Sequence, residues 1–179
     1  MTDQIRFDGF EQEPKKQAEP NPDKAVTCCF TGHREIEHSP ELYTKVRAEI
    51  ERAYANGYRI FCTGGALGFD TVAALNVLAV RQTAHSDIQL HLILPYKDQA
   101  SRWNEYDKHM YNSILERADR VEYHSEHYTD WCMFTRNRRL VELSSLCICY
   151  MTEDKGGTKF TADLAAKKGL TVINLASPK

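Results

Sequence analysis

An α/β domain on a mostly parallel sheet is the fold class this sequence predicts, and three observations predict it. Short apolar runs alternate with longer stretches of helical periodicity along most of the chain. The runs are nearly continuous in apolar residues rather than alternating, as strands covered on both faces require. No internal repeat is visible, so a solenoid is not indicated. Together these describe a Rossmann-like, doubly wound domain with helices on both faces of the sheet.

The elements follow in order. "AVTCCF" (25–30) is the first strand. Ser39-Pro40 supplies an N-cap and a proline for the first helical turn; Leu42, Val46, Ile50 and Ala53 recur at helical spacing, and Gly57 is the stop. "YRIFC" (58–62) is the second strand and 67–82 the second helix; "IQLHLIL" (88–94) is the third strand. Trp103, Tyr106, Met110 and Ile114 line a third helix, and a short strand follows near 120–124. A helix over 129–143, a strand over 145–151, a helix over 158–168 ending at Gly169 and a strand over 171–175 complete the series. Residues 1–24, rich in Pro, Glu, Lys and Gln, read as a tail before a single domain at 25–179, with docking through Ile5, Phe7 and Phe10 as the alternative.

Composition narrows the function classes. The 179 residues suit one domain with an ordinary core. A net charge of -2 and a sequence pI near 6.4 give no global positive field for nucleic acid. No stretch reaches the roughly 20 apolar residues of a membrane span, and the N-terminus lacks a signal-peptide pattern. Five of the six cysteines lie in apolar strand-like runs, without paired C-x-x-C spacing, so they read as buried small hydrophobes rather than a zinc site. A cytoplasmic protein without a bound metal or required cofactor is expected.

In an open parallel sheet, ligands bind beyond the carboxyl ends of the strands, so those loops carry the functional signal. In "TGHRE", Gly32 permits a sharp turn, and His33 and Arg34 project from the strand end, where a guanidinium suits phosphate or carboxylate. In "TGGALGFD", Gly64, Gly65 and Gly68 allow main-chain N–H groups to approach a phosphate, and Asp70 suits a ribose hydroxyl or the helix dipole. The spacing is not G-x-G-x-x-G, and no Walker pattern occurs, so ordinary dehydrogenase and NTPase chemistry are disfavoured. "LPYKDQASRW" offers Gln99, Arg102 and Trp103; Trp103 reads as core more readily than as a base-stacking platform. "TRNRRLVELS" places Arg136, Asn137, Arg138 and Arg139 on neighbouring helical faces. Gly156, Gly157 and Thr158 make a second glycine-led helix start, where free N–H groups, a hydroxyl and the dipole converge. For each feature alone, a turn or a solvated face is the plain alternative. Their convergence on one sheet edge points to a phosphate-containing ligand.

As a set, "CCFTGHR", "TGGALGFD", "LPYKDQASRW", "RNRRLVELS" and "GGTKFTADLAAKKG" resemble the YpsA-like family of the SLOG superfamily, which includes DprA/Smf and the LOG phosphoribohydrolases. The resemblance implies a nucleotide or nucleotide-derived ligand (AMP-, ADP-ribose- or NAD-like), a ligand-sensing role, and an oligomer of identical subunits. It places ligand loops on Gly32, His33 and Arg34, on Gly64, Gly65, Gly68 and Asp70, and on Gly156, Gly157 and Thr158. LOG enzymes carry a glutamate three residues beyond the threonine of the last glycine loop; here Thr161 stands there. General acid–base help is therefore missing at that position, with Asp70 or Asp163 as substitutes if the protein is an enzyme. The rivals to ligand sensing are an N-glycosidase or phosphoribohydrolase and, less supported by the acidic pI, a DprA-like binder of single-stranded DNA.

Overall fold

The computed structural model describes residues 23–176, so nearly all of the tail, with Ile5, Phe7 and Phe10, lies outside the described residues. A 3-10 turn at Lys24–Val26 leads into β1 (Thr27–Gly32). Then come α1 (Pro40–Ala55), β2 (Ile60–Thr63), α2 (Phe69–Thr83), β3 (Gln89–Leu94) and α3 (Glu105–Arg117). The chain continues through β4 (Arg120–Tyr123), α4 (Cys132–Leu143), β5 (Leu146–Tyr150), α5 (Gly156–Lys167) and β6 (Thr171–Asn174). All six strands pair in parallel, in the order β4-β3-β2-β1-β5-β6.

Burial on both faces explains why the strands read as continuous apolar runs. Cys28, Phe30, Phe61, Leu90, Leu92 and Leu94 pack under α1, α2 and α3, with Val46, Ile50, Val77 and Ile114. The intervening residues Cys29, Cys62, Ile93, Cys147 and Cys149 face the other way, under Leu140 and Val141 of α4 and Ala162 and Ala165 of α5. Cys29 is in register with Cys62 on one side and Cys147 on the other, so a row of thiols crosses three strands beneath these two helices. All six cysteines are buried and unpaired. Burial raises the thiol pKa of Cys28 and Cys62, consistent with packing rather than reactivity.

Helix ends follow local chemistry. Ser39 accepts from the Leu42 N–H at 3.2 Å, and Pro40 opens α1. α3 starts at Glu105 rather than at Trp103, because Asn104 caps it by accepting from the Asp107 N–H at 2.9 Å. Trp103 precedes the helix and packs edge-on against Tyr111, with ring centroids 5.4 Å apart. α5 begins at Gly156, two residues ahead of expectation, and α4 three residues later than expected. Among the described residues, no helix is long and apolar enough to cross a membrane.

Replacing Ser39 with Ala leaves an orphan N–H at the start of α1. Its expected cost is about 1 kcal/mol, a fall in Tm of about 3 °C for a domain of this size. Thermal unfolding followed by circular dichroism measures it, and Ser39→Asp retains the cap.

Candidate functional site

Strand order reverses between β1 and β5, and a cavity of about 340 Å³ opens at the carboxyl ends there. The end of β1 and the loop after it contribute Gly32, His33 and Arg34, the β2–α2 loop contributes Ala66, and the first turn of α2 contributes Asp70. Met133, Arg136 and Asn137 come from α4, and Gly157 and Thr158 from the start of α5.

Asp70 sits in the first turn of α2 and is only 5% exposed. Its carboxylate accepts from the Ala66 N–H at 3.3 Å, and the Gly64 N–H nearby also favours its charged form. Two further N–H groups of this segment are engaged nearby. Gly65 N–H donates to Thr63 Oγ1 at 3.2 Å, and Phe69 N–H donates to the His33 carbonyl at 3.1 Å. The first glycine loop is thus already wrapped around an anion, the side chain of Asp70.

Arg136 completes this arrangement from the other side of the sheet edge. Its Nη1 lies 3.6 Å from Asp70 Oδ2, and both side chains are more than nine-tenths buried. A Cβ on Gly64 would fall 1.4 Å from that nitrogen and 2.8 Å from Asp70 Oδ2. The missing side chain of Gly64 is therefore the space the guanidinium occupies. Burial pushes the Asp70 carboxyl above its ordinary range, opposed by Arg136 and the two N–H donors. Burial also draws the Arg136 guanidinium down, opposed by Asp70. Nε and Nη1 of Arg136 have no hydrogen-bond partner among the described residues, and Nη2 makes only a 4.0 Å contact with Met133 Sδ.

The loops around the pair are fastened to one another. Gly68 has φ +75°, and a Cβ there would stand 2.3 Å from the Arg34 carbonyl oxygen, so the β2–α2 loop lies directly on the β1 loop. Gln99 donates to the Gly65 carbonyl at 3.0 Å. His33 Nε2 accepts from the Thr152 N–H at 3.0 Å, joining the loops after β1 and β5. Opposite, α5 starts without any side-chain cap, and its Gly157 and Thr158 line the cavity. Its first-turn N–H groups have no partner in their own helix.

Other expected site residues are placed elsewhere. Arg102 is exposed in the turn before α3 and does not line the cavity. The arginines of α4 separate: Arg138 is exposed, while Arg139 Nε bonds Glu122 of β4 at 2.8 Å. Thr161 is fully buried and donates to the Gly157 carbonyl at 2.8 Å. Asp163 is exposed and paired with Lys159 at 2.6 Å. Among the described residues, Asp70 is therefore the one carboxylate lining the cavity. Met133 and Leu140 also line it, and a reading confined to the loops misses them. The sequence does carry their signal: 133, 136, 137 and 140 have the i, i+3, i+4, i+7 spacing of one helical face.

The YpsA family model, described as the YspA SLOG family, matches residues 28–172. The chain belongs to this SLOG family. UPF0398 protein BH1768 of Halalkalibacterium halodurans is 30% identical over 139 residues, which cover 76% of this chain and 71% of the relative. DprA from Streptococcus pneumoniae superposes with a TM-score of 0.61 at 17% identity, covering 85% of this chain and half of that one. DprA from Helicobacter pylori, solved for its single-stranded DNA binding mode, gives 0.58 at 20% identity, with 87% and 67% covered. At these identities, the two structures show the shared fold alone.

Gly64→Ala and Gly156→Ala are expected to behave differently. The first forces Arg136 or the loop to move and destabilises by roughly 2 kcal/mol. The second meets open space but carries a φ of +81°, so it costs about 1 kcal/mol and keeps the guanidinium in place. Chemical denaturation, with and without inorganic phosphate, compares the two.

Proposed function

We propose that this protein binds a nucleotide or nucleotide derivative, of the AMP, ADP-ribose or NAD class, as a ligand-sensing module in the cytoplasm. The observation that carries this reading is Arg136. A guanidinium only 6% exposed, with two nitrogens unpartnered among the described residues, borders the same cavity as the uncapped N-terminus of α5. Leaving buried donors unsatisfied is costly, and a shift of the guanidinium toward a phosphate in the cavity would give it charge-assisted bonds. The ligand phosphate is accordingly assigned to Arg136, Arg34, Thr158 and the first N–H groups of α5. Asp70 and the first glycine loop hold Arg136 in position. His33 and Asn137 support the wall.

Binding is favoured over cleavage because the cavity offers a single carboxylate among the described residues, already engaged by Arg136 and the Ala66 N–H. No second carboxylate among them is placed to share acid–base work. A net charge of -2 and the pairing of Arg139 with Glu122 weigh against a role on single-stranded DNA.

Thermal shift against AMP, ADP-ribose and NAD tests the proposal. A ligand at a hundred times its Kd adds about 2.7 kcal/mol, a rise in Tm of about 8 °C. Arg136→Gln is expected to abolish the rise. No shift with any of the three at millimolar concentration rejects the binding reading. Chromatography of the same mixtures is expected to show no free base; base released by wild type and not by Asp70→Asn makes the protein an enzyme instead.

A further inference from the structure

A second cavity, of about 520 Å³, is lined by residues of α1, α2 and α3 and of the loops after β1 and β2. Leu67, Leu75 and Met110 give it apolar walls, Tyr43 and Tyr106 give it two aromatic rings, and Asp107 gives it a carboxylate. Arg34 lines this cavity and the phosphate cavity alike. Its one hydrogen-bond-like contact is a 4.0 Å approach to Met133 Sδ, so a forked, five-donor cation stands at the boundary without an acceptor oxygen among the described residues. Tyr106, the second residue of α3, is 72% exposed.

We propose that the second cavity receives the far end of a two-part ligand. The ligand class is a nucleoside diphosphate whose terminal phosphate carries a second sugar- or ring-bearing group. This inference rests on the nucleotide-binding reading of the first cavity. The phosphate nearer the nucleoside binds Arg136 and the start of α5, and the next phosphate lies under Arg34, whose planar fork suits two phosphate oxygens. The terminal group then passes Arg34, which lines both cavities, into the second. In the second cavity the tyrosine rings and Met110 cover its face, and Asp107 accepts from its hydroxyls. Volume favours the same arrangement. The first cavity lies near the bottom of the roughly 300–1,000 Å³ range of small-molecule sites, and the second exceeds it in size.

Isothermal titration of the full chain with ADP, ADP-ribose and NAD tests this, using wild type, Tyr106→Ala, Met110→Trp and Arg136→Gln. Tyr106→Ala removes an exposed ring, and Met110→Trp fills the cavity from α3; circular dichroism checks that both fold. The two-part ligands are expected to bind wild type about tenfold tighter than ADP, within the range of aromatic stacking. Both cavity variants should erase that advantage while leaving ADP affinity unchanged. If ADP binds in an Arg136-dependent way but the larger ligands gain nothing, the second-cavity proposal is overturned and the first reading stands. The second-cavity proposal is overturned as well if the cavity variants weaken ADP and ADP-ribose equally, or affect neither. If none of the three ligands binds, both readings fall.

Discussion

The buried contact between Asp70 and Arg136 is the constraint on which the arrangement of the sheet edge depends. Its members belong to helices on opposite faces of the sheet and meet across the strand ends. For the guanidinium to reach Asp70, residue 64 must lack a side chain, and the loop must curl so that Ala66 donates to the carboxylate. Gly68 must then lie flat against the backbone of the β1 loop. A glycine-rich segment that reads as a phosphate cradle is, in the folded protein, a cradle for a carboxylate. That carboxylate in turn positions the cation that faces the cavity.

Such a pair is a poor device for stability. Desolvating two charges offsets much of their attraction, and well-packed apolar residues of similar volume often do as well or better. The opposed shifts of the two groups express that cost, since burial disfavours the charged form of each. The contact is also incomplete, at 3.6 Å without a direct hydrogen bond, and it leaves Nε and Nη1 unpartnered among the described residues. A purely structural pair would be expected to saturate the guanidinium. What the pair does secure is position: it fixes Arg136 at the wall of the cavity.

Much of the fold is legible in the sequence because it is written in local chemistry. Continuous apolar strands, the Ser39-Pro40 cap and Gly57 or Gly169 at helix ends each act within a few residues. The start of α3 is harder to read because Trp103 fits the apolar period, whereas the Asn104 cap decides the boundary. The site is legible only as a set of loops. Which donors of "TGGALGFD" remain available depends on Thr63, Asp70 and the His33 carbonyl, a tertiary circumstance that glycine spacing does not encode. The arginines of α4 look equivalent in sequence, and the fold separates them: Arg136 faces the switch point, Arg139 the edge strand, and Arg138 solvent.

The two glycine-led helix starts therefore do different work, and their difference sets the electrostatics of the cavity. At α2 the helix dipole and loop N–H groups are matched internally by Asp70, so little positive potential remains for a ligand. At α5 no side-chain cap is present, and the dipole opens onto the cavity. With Arg34 at the rim and Arg136 at the wall, two cations and one helix N-terminus face a single internal carboxylate. The local balance is positive within a protein that is acidic overall. In a partly desolvated crevice that imbalance is screened less than it would be on the surface.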